Sequence, residues 1–162
     1  MSNTSDPTTR ASDLLAEWEQ AHHPLPPAPR QAFLQLVAEL LDHPDSGLDR
    51  EDVRYTLSRA DRLGFARAEA TGPDRATSLL TEVLTQLPDE PTPTGRLLVS
   101  FSSDTDDAFE MDELSLILEG LQQRVGPEWE MVFGHCDAPS QQSEVRLLVL
   151  QAFDASSQTH AV

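Results

Sequence analysis

Lysine is absent from the 162-residue sequence, so its positive charge comes only from 11 arginines, against 28 aspartates and glutamates. The net charge of −17 argues against partners such as nucleic acids and anionic membranes, because both attract cationic surfaces. Without lysine there is also no residue for a Schiff base or a lysine phosphate clamp.

Cysteine occurs once, at Cys136, which excludes an internal disulfide and a cysteine-rich zinc site. Long hydrophobic runs are missing as well, since no apolar stretch approaches the roughly 18 residues that a membrane span requires. Residues 1–9 are polar and do not resemble a targeting signal. We therefore expect a soluble, cytoplasmic protein.

Glycine is scarce and scattered, and no two of the seven glycines are closer than six residues. A phosphate-binding loop needs clustered glycines before a helix, so the sequence predicts no nucleotide site of its own. We found no cluster of nucleophile, base and phosphate-binding groups either. We therefore expect a protein that is not an enzyme and has no cofactor or metal.

Three groups of residues contain site-forming residue types, but their spacing favours a structural interpretation. His22, His23 and His43 lack metal-ligand spacing. His135 and Cys136 are neighbours on a predicted strand, whose side chains point to opposite faces, which disfavours a catalytic dyad. The acidic run over residues 104–113 lacks the ordered spacing of a calcium loop, so we expect a solvated loop and a helix start.

Two proline-rich breaks organise the chain, at residues 24–29 and 88–93. We predict a polar tail, a short helix and a proline-rich connector over 1–29, a main domain over 30–153, and a second polar tail over 154–162. Hydrophobic periodicity predicts helices over 12–21, 33–41, 53–60, 76–87 and 114–125, the last capped by Asp112. Strands are predicted over 63–70, 96–101, 129–135 and 145–153, and the last two are expected to form a hairpin.

The order of these elements, with several short motifs, resembles the C-terminal part of the bacterial cell-division GTPase FtsZ, of the tubulin superfamily. The motifs are residues 47–54, Gly64-Phe65, residues 71–76 opening a helix, Gly95 before an apolar strand, residues 131–134, residues 144–146 and Ala152-Phe153. The resemblance covers about residues 31–153. It implies an α+β fold with a four-stranded mixed sheet packed on helices, preceded by the end of a long central helix, here with an extra N-terminal helix. The nucleotide-binding half of that family has no counterpart in this sequence.

One functional element of the family is implied for residues 47–52. In FtsZ the corresponding loop carries an Asn-x-Asp-x-x-Asp pattern that inserts into the nucleotide pocket of the neighbouring subunit. Asp49 and Asp52 match this pattern, whereas Gly47 replaces the asparagine and Arg50 adds a cation. A second interpretation stays open, because Asp49 also suits a helix N-cap with Asp52 as its partner.

The resemblance leads to two hypotheses of function. In the first, the chain binds or caps FtsZ-like or other tubulin-like polymers, regulates cell division, and alters the partner's GTPase activity in trans. In the second, it is a scaffold or adaptor that self-associates or binds an unrelated partner through the sheet face or the Trp18 helix. The Trp18 helix has an alternative role, which is to cover the domain. The residues predicted to bind partners are Gly47, Leu48, Asp49, Arg50, Asp52, Leu14 and Trp18.

Overall fold

The computed structural model describes residues 6–42, 47–89, 92–104, 107–137 and 144–155. Residues 1–5 and 156–162 lie outside these ranges, and so do His43 and residues 138–143. Parts of the two predicted polar tails, one of the three histidines considered as metal ligands and the loop of the predicted hairpin therefore fall outside the described residues. Within them the elements run as follows: α1 Pro7–Glu19, α2 Pro27–Leu41, α3 Arg50–Leu57, β1 Ala60–Ala70, α4 Arg75–Gln86, β2 Gly95–Ser103, α5 Met111–Val125, β3 Glu130–Asp137 and β4 Val145–Asp154.

The four strands form one mixed sheet in the order β1-β4-β2-β3. Strand β4 runs antiparallel to both of its neighbours, while β2 and β3 are parallel. The predicted α+β fold with a four-stranded mixed sheet is therefore confirmed, but the predicted hairpin of the last two strands is wrong. Strand β4 is apolar and buried along nearly its whole length, which favours a central position, whereas the half-exposed β3 suits an edge.

Helices cover both faces of the sheet, with α4 and α5 on one side and α1, α2 and α3 on the other. Alternation along β2 supplies both layers, because Leu97 and Val99 pack beneath α4 and α5 while Leu98 points to the opposite layer. The first layer also takes Leu79, Val83, Ile117, Leu121, Leu147 and Val149, and the second takes Leu14, Leu15, Trp18, Phe33, Val37, Leu40, Val53, Leu148 and Leu150.

Element ends differ from the sequence predictions at several places. Helix α1 begins at Pro7, inside the predicted polar tail, and α2 begins at Pro27, inside the predicted connector. Proline is well suited to the first turn of a helix because its fixed φ is helical and its missing N–H would have no partner there. Helix α5 is capped by Glu110 rather than Asp112. Ala60, predicted to end a helix, belongs to β1.

A ring of four charges joins α2 to the sheet. Glu39 on α2 accepts from Arg67 of β1 at 2.9 Å and from Arg146 of β4 at 2.6 Å. Both arginines also contact Glu69, at 2.5 and 2.9 Å. The ring fixes one end of α2 over the two strands that its apolar face covers. Within the described residues, the helices are too short or too polar to cross a membrane.

Candidate functional site: the loop before helix α3

The candidate site is the loop of residues 47–52, which precedes and opens α3. Gly47 has a φ of +78°, a left-handed conformation that glycine adopts without a steric cost. Leu48 is only 4% exposed and packs in the layer formed by α1, α2 and α3. Asp49 stands on the surface beside it. The loop is therefore anchored by one apolar side chain while it presents its polar residues outward.

Asp49 and Asp52 form a reciprocal capping box, as one interpretation of the sequence predicted. Oδ1 of Asp49 accepts hydrogen bonds from the backbone N–H groups of Glu51 and Asp52, at 3.0 and 3.1 Å. Oδ2 of Asp52 accepts from the backbone N–H of Asp49 at 2.9 Å. These bonds satisfy amides that have no partner within the helix, and both negative charges suit the positive end of the helix dipole. The second oxygen of each carboxylate takes no part in the box.

The neighbouring side chains give the loop mixed charge. Arg50 is half-buried and forms no hydrogen bond or ion pair with any described residue, and its Nε is buried. Glu51 pairs with Arg54, which also bonds to Glu17 of α1 at 2.9 Å. Hydrogen bonds to Glu17 and Glu51 hold the pKa of Arg54 above its usual value. Arg54 thus links the loop and α3 to α1.

Arg96, at the start of β2, anchors α3 to the sheet although it is only 2% exposed. Its guanidinium donates to the carbonyl of Tyr55 at 3.1 Å and to Oγ of Ser58 at 3.2 Å. The same group lies 4.5 Å from the centre of the Tyr55 ring, and its Nε lies 3.7 Å from a carboxylate oxygen of Glu130. The sequence predicted a strand that begins at Arg96 but not this anchoring role, because the residues that Arg96 contacts are distant in sequence.

Leu14 and Trp18, predicted to bind partners, are buried inside the chain at 2% and 7% exposure. The indole N–H of Trp18 donates to the carbonyl of Ala60 at 3.1 Å, and the ring stacks on His22 with the centroids 4.2 Å apart. Helix α1 therefore covers the domain, which was one of the two roles predicted for it. A shallow cavity of about 240 Å³ remains between α1 and α3, edged by Trp18 and Leu57.

The acidic run after β2 is organised around Arg75, which is 7% exposed. Arg75 donates to both carboxylate oxygens of Glu113 at 2.8 Å and approaches a carboxylate oxygen of Asp107 at 3.0 Å. Its hydrogen bonds hold the pKa of Glu113 below the ordinary value. The described part of the run, residues 104 and 107–113, is thus a loop and helix start held by one arginine, while residues 105–106 lie outside the described residues. The described residues contain no group of three metal-ligating side chains.

The end of β3 carries no catalytic dyad of Cys136 with His135. Cys136 is 2% exposed. The Nε2 of His135 instead hydrogen-bonds Oγ of Ser103 at 2.8 Å. Because Ser103 is fully buried, the pair cannot present a nucleophile to a substrate.

No family model and no curated protein matches this sequence. Solved structures do share its fold. FtsZ from M. jannaschii superposes with a TM-score of 0.63 at 16% identity, over 84% of this chain and 44% of that one. CetZ2 from Haloferax volcanii, solved as a GTPγS-bound protofilament, gives 0.53 at 16% identity, over 80% and 40%. TubZ from Bacillus thuringiensis serovar israelensis, also a protofilament, gives 0.55 at 12% identity, over 89% and 39%.

These likenesses confirm the FtsZ- and tubulin-like fold that the motifs predicted. At such low identity they establish the fold alone. The chain spans about two fifths of the length of the solved chains that it matches.

Proposed function

We propose that this chain is a non-enzymatic partner of FtsZ-like or other tubulin-like polymers and that it docks on them through the 47–52 loop. The observation that carries the proposal is the position of that loop in a chain with a partial FtsZ-like fold. The capping box of Asp49 and Asp52 holds it in one conformation at the start of α3. A rigid loop loses little conformational entropy on docking, so more of the contact energy remains for binding.

Docking of this kind would cap a polymer. The loop would occupy the nucleotide face of a terminal partner subunit, where the next subunit of the polymer would otherwise bind. Within the described residues of this chain there is no glycine-rich phosphate loop that could offer the same face to another subunit. Subunit addition at that end would stop, and this is how the chain would regulate cell division.

The capping box favours obstruction over stimulation of GTP hydrolysis. Each aspartate already accepts hydrogen bonds from backbone amides of the loop. To polarise a water on the partner's nucleotide, the pair would have to retain these bonds and use only its remaining oxygens. Arg50 would add a cation at the same place. We therefore propose that bound polymer turns over GTP more slowly, because fewer complete subunit contacts form.

The adaptor hypothesis has less support. Its two surfaces were the Trp18 helix and an uncovered sheet face, but Trp18 is buried and the helices pack on both faces. No described feature of α1 other than the shallow cavity favours a partner there.

Co-sedimentation with FtsZ assembled in GTP tests the docking surface. Asp49→Asn with Asp52→Asn keeps oxygen acceptors for the capping box but removes both charges. Glu110→Gln is the matched control, since Glu110 belongs to the capping box of α5 on the opposite side of the sheet. We expect the wild type and the control to pellet with polymer and the double variant to remain in the supernatant. Docking through this loop would be refuted if all three proteins pelleted equally with the polymer, or if none of them pelleted.

A further inference from the structure

The two edges of the sheet are protected to different degrees. Strands β1 and β3 form these edges. An edge strand presents unpaired backbone N–H and C=O groups, and proteins usually block them with charged side chains (lysine above all), proline, bulges or a covering segment, because a free edge can pair with another chain.

Strand β1 is blocked. The side-chain amide of Gln86 accepts from the backbone N–H of Arg67 and donates to its carbonyl, both at 2.9 Å. This pair of bonds imitates a neighbouring strand. The pairing of β1 with β4 also shifts register between Ala60 and Arg62. Two arginines on the strand, Arg62 and Arg67, oppose the approach of a basic segment.

Strand β3 has fewer of these protections over residues 131–135, and among the described residues its acidic side chains, Glu130 and Asp137, lie only at its two ends. Its sequence contains no lysine, arginine or proline, and it pairs with β2 in unbroken register from Arg96↔Glu130 to Ser103↔Asp137. Within the described part of the chain, only β2 bonds to the backbone of residues 131–135. Because alternate residues of a strand direct their backbone groups to opposite edges, half of these groups face away from the sheet. Phe133, at the middle of the strand, is 55% exposed.

We propose that the outer edge of β3, over residues 131–135, binds an extended segment of a partner protein as a fifth strand, and that this segment has an apolar centre with basic residues at both ends. Glu130 and Asp137, the two ends of β3, are exposed, and Phe133 lies between them. Main-chain hydrogen bonds supply affinity in this mode of recognition, while the side-chain pattern supplies specificity. This inference does not depend on the 47–52 loop.

Charge decides between the possible occupants. An antiparallel second copy would bring Glu130 of one chain near Asp137 of the other, and like charges across strands are destabilising. Each copy would also carry the full net charge of −17. A segment with terminal arginines or lysines instead meets Asp137 at one end and Glu130 at the other, although Glu130 also accepts from the hydroxyl of Tyr55 and lies 3.7 Å from Nε of Arg96.

The test uses a synthetic peptide of alternating valine and threonine with an arginine at each end. Its binding to the full chain is followed by isotope-edited NMR and by isothermal titration calorimetry. We expect backbone amide shifts concentrated on residues 130–137 and an affinity that falls by at least about tenfold in Phe133→Lys. Leu116→Lys is the control, because Leu116 is also exposed but lies on α5 beside Pro73; it should bind as the wild type does.

Four results would overturn the proposal. One is no binding of the arginine-ended peptide. A second is equal binding of a peptide with glutamate at both ends, which tests the role of charge. A third is equal binding of a peptide whose alternate amides are N-methylated, which tests main-chain pairing. The last is a concentration-dependent dimer in sedimentation equilibrium that Phe133→Lys abolishes, because a second copy would then occupy the edge.

Discussion

Asp49 and Asp52 each hold the other's backbone: the carboxylate of Asp49 accepts from the N–H of Asp52 at 3.1 Å, and that of Asp52 accepts from the N–H of Asp49 at 2.9 Å. This reciprocal pair has two consequences. It starts α3, and it fixes the loop through which we propose that the chain docks. Stability and docking can therefore be separated by choosing substitutions that change only one of them.

Asp49→Ala should lower the free energy of unfolding by about 1 kcal/mol, because two amides at the start of α3 lose their acceptor. Asp49→Asn should cost only a few tenths of that value, since asparagine is an equally good N-cap. Urea denaturation followed by circular dichroism measures both. Equal losses for the two variants would mean that the carboxylate charge, rather than the cap, stabilises the helix.

Arg96→Ala should destabilise the fold by about 2–3 kcal/mol, because the carbonyl of Tyr55 and the hydroxyl of Ser58 lose a charged donor. Arg96→Lys should recover part of this loss, as lysine keeps the charge but cannot make the same forked contact. Arg59→Ala is the control, since Arg59 is exposed, and should stay within about 0.5 kcal/mol of the wild type. An Arg96→Ala variant with the same free energy of unfolding as the wild type would show that α3 does not depend on this anchor.

The bond between Arg75 and Glu113 should make stability depend on pH. The pKa of Glu113 is lowered from its ordinary value of 4.5, chiefly by hydrogen bonding to Arg75, so the folded state favours the ionised carboxylate. Its contribution is complete above pH 4.5 and is lost as the pH falls through the lower folded-state pKa. Glu113→Gln should cost about 2 kcal/mol at neutral pH, and less in acid. If the difference in unfolding free energy between the wild type and Glu113→Gln stayed constant down to acid pH, the predicted direction of the pH dependence would be wrong.

Docking should strengthen as salt rises. The chain carries a net charge of −17, and its repulsion from an acidic polymer is screened beyond a Debye length of about 8 Å at physiological ionic strength. Titrating sodium chloride during co-sedimentation measures the effect. The same titration of the arginine-ended peptide at β3 should show the opposite trend, because that contact is attractive. Weaker docking at high salt would indicate that attraction between opposite charges dominates the interface.

Local features of this fold could be predicted from the sequence, and non-local ones could not. The cap formed by Asp49 and Asp52 requires residues only three apart, and the stripe through Leu79 and Val83 lies within one helix. The position of β4 depends on which strand fills the centre of the sheet, so the prediction of a hairpin with β3, its neighbour in sequence, was wrong. The partners of Arg96 could not be predicted for the same reason, since Tyr55 and Ser58 lie about 40 residues earlier in the chain.

The candidate site could likewise be predicted where it depends on local sequence and not where it depends on distant contacts. The motifs placed the 47–52 loop correctly before a helix, because they are short and ordered along the chain. Whether Trp18 would cover the domain or reach outward could not be decided from an amphipathic stripe, which suits either role. Its indole bond to Ala60 crosses 42 residues of sequence and is set by the packing of α1 on the layer that includes α2 and α3.

The most direct measurement is the length of FtsZ filaments and their GTP turnover when this chain is added in substoichiometric amounts. The account predicts shorter filaments and slower turnover with the wild type, and no change with Asp49→Asn plus Asp52→Asn, whose folding is verified by urea denaturation. Unchanged filaments with the wild-type chain, or equal shortening by the double variant, would contradict it.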